Sequence, residues 1–257
     1  MMNNNPFDLT GKIALITGAS KGIGASIARA FALQGATVVV SSRQFENVAT
    51  VADALKAEGL NAYAIACHVG ELQQLNGMVG EVTQLLGGID ILVNNAATNP
   101  VFGPLESADA GIFDKIMNVN VKAPWILANL CLPSMKERGG GSIINISSVE
   151  GLQAGMGLGL YSTSKAALIM LTKNQATEWG KFGIRSNAIC PGLIKTKFSA
   201  ALWQNEQWTR QLIESLPSGR IGMPEDIEGL ALLLASQAGD YLTGGVYVAD
   251  GGYLLTH

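Results

Sequence analysis

KIALITGASKGIG, running from Lys12 to Gly24, is the stretch on which the fold turns. Lys12 to Thr17 is an aliphatic run that reads as a strand buried on both faces. It passes without a linker into Gly18-Ala19-Ser20-Lys21-Gly22-Ile23-Gly24 and then into a helical pattern starting at Gly22. Glycines at such a junction let the backbone approach a pyrophosphate, whose charge is then met by the amides at the helix N-terminus. The spacing is G-x-x-x-G-x-G, not the commoner G-x-G-x-x-G.

Working outward, six further apolar runs alternate with helical patterns: Thr37 to Ser42, Ala62 to Cys67, Ile89 to Asn94, Ser142 to Ser147, Arg185 to Ile189 and Val246 to Val248. The helical patterns cover Gly22 to Gln34, Val48 to Glu58, Leu72 to Leu86, Phe113 to Lys136, Tyr161 to Trp179 and Pro224 to Leu234. Regular β-α alternation predicts a parallel sheet with helices on both faces. No composition break, proline-rich linker or repeat divides the chain, so residues 1 to 257 are expected to form one domain. The expected fold class is α/β: a single-domain, Rossmann-like, doubly wound, seven-stranded parallel sheet.

The 257 residues are 48% apolar and 14% charged, with a formal net charge of −3. That balance suits a deep core and offers no basic footprint for nucleic acid or an anionic membrane surface. MMNNNPFDLT is not a basic segment followed by an apolar stretch, and the late apolar run Gly229 to Ala235 is too short to span a bilayer. The last residues, Leu255, Thr256 and His257, do not form a peroxisomal Ser-Lys-Leu type address. A cytoplasmic location is expected, with neither membrane nor nucleic acid as partner. Cys67, Cys131 and Cys190 are widely spaced in apolar contexts, which suggests packing rather than a disulfide framework or zinc site.

Tyr161 and Lys165 stand four residues apart in a helical pattern, and Ser148 lies thirteen residues before the tyrosine. Positions i and i+4 share a helix face. An ammonium ~4 Å from a phenol, at an effective dielectric near ~20, is worth roughly 4 kcal/mol. That would draw the phenol from about 10 toward about 7, where a general acid or base works best. Taken alone, the pair also fits an exposed polar helix face. With the serine and the glycine turn it points to carbonyl reduction or alcohol oxidation with a nicotinamide cofactor.

The choice of cofactor should fall at the end of the second strand, where an acidic residue would bond the ribose hydroxyls of NAD. Ser42 stands there, followed by Arg43, and Lys21 in the glycine turn adds a second positive charge. A guanidinium suits a 2′-phosphate through paired hydrogen bonds, so NADP(H) is expected. The competing reading leaves Arg43 as a solvated loop residue.

The chain resembles the short-chain dehydrogenase/reductase family over nearly its whole length. The pieces that carry the likeness come in order: Thr17-Gly18-x-x-x-Gly22-x-Gly24, Asn94-Asn95-Ala96-Ala97, Asn120, Ser147-Ser148, Tyr161-x-x-x-Lys165, and Pro191-Gly192 with Thr196 following. Ser41-Ser42-Arg43, Cys67-His68-Val69-Gly70 and Asn120-Val121-Lys122-Ala123-Pro124 look like its NADPH-dependent carbonyl and retinal reductase branch, as does Pro191 to Thr196.

The resemblance implies a catalytic tetrad. Tyr161 would exchange a proton with the substrate oxygen and Ser148 would hydrogen-bond that oxygen. Lys165 would depress the tyrosine pKa and hold the nicotinamide ribose, and Asn120 would anchor a water linking the lysine to solvent. Ser147 rivals Ser148, but thirteen residues is the family's usual separation. Cofactor contacts would come from Gly18, Ser20, Lys21, Gly22, Ile23 and Gly24, from Ser42, Arg43, His68 and Val69, and from Asn94 and Ala96. Tyr161, Lys165, Pro191, Gly192, Ile194 and Thr196 would complete them. Two departures stand out: His68 where the family usually has an aspartate after the third strand, and Ala97 where glycine is common. The histidine reads as a pocket substitution that shifts affinity rather than as a metal ligand, and no metal is expected.

Thr98, Glu150, Gln153, Leu160, Leu193, Phe198 and Trp203 are candidate substrate walls, a mostly apolar set that favours a hydrophobic ketone or aldehyde. Lys195 to Gly219, with Phe198, Trp203 and Trp208, reads as a flap over substrate and cofactor or as a surface helix packed by its aromatics. Two other functions fit the same motifs. One is 3-oxoacyl-carrier-protein reduction, which calls for a basic patch where only Lys136 and Arg138 offer themselves. The other is a cofactor-binding regulator without catalysis. Phe113 to Lys136 and Tyr161 to Trp179 carry more apolar surface than one sheet face needs, and the family resemblance implies that such helices pair across a two-fold interface to give a homotetramer.

Overall fold

The aliphatic runs form strands whose side chains alternate between two cores. A computed structural model describes residues 5–256, apart from the side chain of Trp208. Met1 to Asn4 and His257, which entered the reading of the chain ends, lie outside the described residues, as does the Trp208 side chain. The strands are β1 (Ile13–Thr17), β2 (Thr37–Ser42), β3 (Ala62–Ala66), β4 (Ile91–Asn94), β5 (Gly141–Ile146), β6 (Ile184–Pro191) and β7 (Val246–Ala249). All pair in parallel, in the order β3-β2-β1-β4-β5-β6-β7.

On one face Ala14, Ile16, Val38, Val40, Val93 and Ile144 pack against α1 (Gly22–Leu33), α2 (Phe45–Ala57) and the late helix Glu228–Ala235. On the other, Leu15, Val39, Leu92 and Ile143 meet α3 (Leu72–Leu86) and, after α4 (Ala110–Met117), α5 (Ala123–Glu137). Period-two alternation in strands covered on both sides thus produces two cores from one run of sequence. The doubly wound sheet is as expected.

Two elements differ from the sequence reading. Phe113 to Lys136 is not one regular helix, because a π-helical turn, Asn118–Lys122, separates α4 from α5. Ala123 donates its amide five residues back, to the Asn118 carbonyl. Pro124 has no amide to give the carbonyl of Asn120 four residues earlier, which removes an α-helical bond at this point. The second difference lies in Lys195 to Gly219. It contains α7 (Ala200–Trp203) and α8 (Glu206–Ser215), after α6 (Gly159–Trp179) and β6 and before α9 (Glu228–Ala235).

Candidate active site

The order of strands reverses between β1 and β4, and the site opens there, at the carboxyl ends of the sheet. The cleft measures about 2020 Å³. Single ligand pockets usually hold roughly 300–1,000 Å³, so this one has room for two molecules side by side.

Its floor is the glycine turn. Gly18 and Gly22 have φ of 65° and 58°, in the left-handed region that disfavours other residues. A Cβ on Gly18 would come within 2.9 Å of Ala96 Cα, and one on Gly22 within 3.1 Å of Thr196 Cγ2. No side chain caps the start of α1, so its first amides are left for a ligand. Gly18, Ser20, Lys21, Gly22 and Ile23 line the cleft. Gly24 stands behind it, where a Cβ would lie 2.5 Å from Asn95 Nδ2. Its part is close packing, not contact with the cleft.

Ser42, Arg43, His68, Val69, Ala96, Pro191, Gly192, Ile194 and Thr196 also reach the cleft wall. Arg43 is exposed and has no ion-pair partner among the described residues. His68 accepts a hydrogen bond at Nδ1 from the Gly70 amide, 3.1 Å away, which places its proton on Nε2. Asn94 is absent from the wall. It is 3% exposed, and its amide donates to Asn145 Oδ1 at 2.8 Å inside the sheet–helix layer. The neighbouring Asn95 lines the cleft instead and donates to the carbonyls of Thr17 and Gly18 at 2.9 and 3.0 Å, tying the glycine turn to β4. The Asn94-Asn95 pair gave no sign of which side chain pointed where, because that depends on strand register.

Across the cleft, β5 ends at Ile146 and is followed by two serines that both line the wall but bond different partners. Ser147 donates to the Lys165 carbonyl at 2.9 Å. Ser148 lines the cleft, bonds the phenol of Tyr161, and accepts from the Glu150 amide at 3.1 Å. Tyr161 and Lys165 lie on the first turns of α6, and both line the cleft. The Phe198 ring lies 6.2 Å from that of Tyr161.

The electrostatics depart from the expected tyrosine–lysine coupling. Lys165 is 2% exposed, with Nζ donating to the Ile146 carbonyl at 2.8 Å and lying 5.5 Å from the centre of the Tyr161 ring. The Tyr161 phenol is pushed up, not down: burial raises it, the Ser148 hydrogen bond opposes the rise, and the nearby Glu150 carboxylate adds to it. The same burial draws the Lys165 ammonium down to about 8, with Cys190 opposing. The shared helix face is there, but the ammonium turns under the phenol toward β5.

Asn120 is 1% exposed and does not line the cleft. Its Oδ1 accepts from the Thr98 amide at 2.8 Å, and its Nδ2 donates to the Thr98 carbonyl and to Ser164 Oγ, each at 3.0 Å. Ser164 Oγ in turn donates to the Tyr161 carbonyl at 2.7 Å. The π-turn therefore clamps the loop after β4 to the helix that bears Tyr161.

Of the candidate substrate walls, Thr98, Glu150, Leu193 and Phe198 line the cleft, whereas Gln153, Leu160 and Trp203 do not. Leu160 faces a small separate cavity beside Pro104, and Gln153 hydrogen-bonds Tyr253. Trp203 donates its indole N–H to the Thr196 carbonyl at 2.8 Å and so braces the loop. Phe102, Met156, Leu202 and Tyr253 also line the cleft. The first three sit in segments that follow β4, β5 and β6, the loops that a doubly wound sheet sends to its site, and that position was the available signal. Tyr253 arrives from beyond β7 and left no signal in the sequence.

Such a cleft, with a glycine turn, a serine, a tyrosine and a lysine at the switch point, defines a nicotinamide-dependent oxidoreductase. Residues 18–254 match the family described as enoyl-(acyl carrier protein) reductase. The chain belongs to the short-chain dehydrogenase/reductase family. It is 43% identical over 244 residues to dehydrogenase/reductase SDR family member 4 of Oryctolagus cuniculus, covering 95% of this chain and 94% of the relative. Among solved structures it is similar to gluconate 5-dehydrogenase from Burkholderia cenocepacia J2315 in complex with NADP and tartrate (TM-score 0.94, 34% identity, 98% of each chain). A second is 7α-hydroxysteroid dehydrogenase complexed with NADH and 7-oxo glycochenodeoxycholic acid (TM-score 0.93, 34% identity, 98% of each chain). The reaction class is interconversion of alcohol and carbonyl groups. One fold carrying NADP in the first neighbour and NADH in the second leaves the cofactor to be argued from particular residues.

Proposed function

We propose that the protein is an NADP(H)-dependent reductase of neutral, hydrophobic ketones or aldehydes, able to run in reverse on secondary alcohols. The observation that carries this reading is the meeting of Ser148, Tyr161 and Lys165 on one wall of a cleft whose floor is the uncapped glycine turn. The bound nicotinamide would supply or accept the hydride. Ser148 orients the substrate oxygen through its hydroxyl, and Tyr161, held neutral by burial, gives that oxygen its proton. Lys165, charged below about pH 8, stabilises the phenolate left behind. Asn120 is a positioning residue, fixing the start of α6 through Ser164.

NADP(H) is favoured by the exposed guanidinium of Arg43 just beyond β2, which has no ion-pair partner among the described residues, and by Lys21 in the turn. Phe102, Met156 and Phe198, 64%, 95% and 56% exposed, give the cleft an apolar lip that suits a hydrophobic substrate. Phe198, Leu202, Asn205 and Leu212 of the segment after Gly192 also line it, as a closing flap requires. Exposed Phe113 and Met170 on α4 and α6 support a homotetramer, and a purely monomeric sedimentation profile would oppose it. Among the described residues no helix is long and apolar enough to cross a membrane. Three unpaired, buried cysteines suit a reducing, cytoplasmic setting. The two basic candidates for a carrier-protein site are both engaged within the chain, Arg138 with Asp90 at 2.8 Å and Lys136 over the Phe182 ring, which weighs against a carrier-protein substrate.

The test is a comparison of NADPH with NADH on a panel of ketones, aldehydes and acyl thioesters, using wild type and Arg43→Asp. Wild type should prefer NADPH with neutral ketones or aldehydes. Losing the charged contact should weaken NADPH binding on the order of 100-fold and leave NADH little changed. A wild-type preference for NADH would refute the Arg43 argument.

A further inference from the structure

Glu150 sits two residues beyond Ser148, in the short turn Val149–Gly151 that joins β5 to the segment before α6. Its amide is fixed to the Ser148 hydroxyl at 3.1 Å. Its carboxylate reaches back to the start of α6, where Oε2 accepts from Ser162 Oγ, next in sequence to Tyr161, at 3.3 Å. The side chain lines the cleft beside Ser148 and Tyr161. Among the described residues it has no ion-pair partner. The space it fills is kept open by Gly155, where a Cβ would overlap Oε2. Gly155 has an ordinary φ, so an alanine there would meet the carboxylate without straining the backbone.

A half-buried carboxylate held by one long hydrogen bond in a largely apolar cleft is poorly compensated. A substrate group that donates a hydrogen bond or carries positive charge offsets that cost. A second anion adds repulsion to it. We propose that Glu150 is a specificity-determining residue: its carboxylate receives a hydroxyl or ammonium substituent near the reacting carbonyl and turns away carboxylate-bearing substrates. This rests on the reading of the cleft as a carbonyl reductase site, extends its substrate class to compounds with a hydroxyl or cationic substituent and excludes carboxylates.

The test uses wild type, Glu150→Gln and Gly155→Ala with NADPH and four ketones of matched skeleton: unsubstituted, hydroxyl-bearing, amino-bearing and carboxylate-bearing. The readout is kcat/KM for each substituted ketone relative to the unsubstituted one within the same protein. In wild type the amino and hydroxyl compounds should exceed the unsubstituted ketone, and the keto acid should fall below it by on the order of 10-fold or more. In Glu150→Gln the amino and keto-acid ratios should move toward one by a similar factor. The hydroxyl preference should survive in part, because the amide oxygen still accepts. Gly155→Ala, which keeps the charge and displaces it, should shift the ratios the same way and serves if Glu150→Gln folds poorly. Wild-type protein that reduces none of the four overturns the reductase reading and this inference with it. Wild-type protein that reduces the unsubstituted ketone but treats the charged pair alike, or ratios unchanged in both variants, overturns this inference alone.

Discussion

The hydroxyl of Ser147 donates to the backbone carbonyl of Lys165 at 2.9 Å, so the two adjacent serines at the end of β5 have opposite tasks. Ser147 fastens α6 to the sheet, and Ser148 is left on the cleft wall with its hydroxyl toward the phenol. Ser147→Ala should therefore remove that fastening while the Lys165 carbonyl keeps its helical donor, and cost about 0.5–1.5 kcal/mol of stability. Ser148→Ala should leave stability nearly unchanged and lower kcat by on the order of 100-fold. Thermal unfolding and steady-state kinetics on both variants check the division, and the reverse pattern would contradict it.

The two reaction directions should have different pH profiles. Carbonyl reduction needs the phenol of Tyr161 protonated, and burial raises its pKa, so reduction should hold through neutral pH. It should decline on the alkaline side as Lys165 loses its charge near about 8 and the phenol ionises at higher pH still. Alcohol oxidation needs the phenolate as base, so it should climb only as the phenol ionises, on the alkaline side of the range where Lys165 loses its charge. Glu150 also raises the phenol, so Glu150→Gln should bring the oxidative rise to lower pH. Coincident optima for the two directions would oppose this assignment.

Lys165 should cost the cofactor-free protein stability. Its pKa in the folded state is depressed from 10.5 to about 8. Folded protein thus holds fewer protons than the unfolded chain between those values, and the penalty is full below about pH 8 and relieved as pH rises toward 10.5. Lys165→Met should remove about 3 kcal/mol of desolvation cost and lose about 1 kcal/mol with the hydrogen bond to Ile146, a net gain of about 2 kcal/mol. The variant should melt higher at neutral pH while losing turnover. A lower melting temperature would show that the ammonium is stabilising where it lies.

The sheet was legible because buried parallel strands leave a direct trace, runs such as Ile13 to Ile16 and Val38 to Val40 that are apolar on both faces. The glycine turn was legible for a similar reason: few residues other than glycine adopt the φ that Gly18 and Gly22 require. What failed was direction. Asn94 and Asn95 differ by one step of strand register, and that step decides which reaches the cleft. Gly24 belongs to the same glycine pattern as Gly18 and Gly22 but serves packing. The i, i+4 spacing of Tyr161 and Lys165 put them on one helix face without revealing that burial would dominate both groups and that the ammonium would bond the Ile146 carbonyl. The π-turn is latent in Pro124, whose missing amide costs a helical bond that a pattern of apolar residues does not display.

The most direct measurement follows NADPH consumption and alcohol formation with one neutral ketone for wild type and Tyr161→Phe, with NADPH affinity measured separately without ketone. Wild type should consume NADPH in step with alcohol formed. Tyr161→Phe should lose about 10²–10⁴-fold in turnover while binding NADPH within a few-fold of wild type. Equal turnover by the two proteins would contradict the role of Tyr161 as the proton donor.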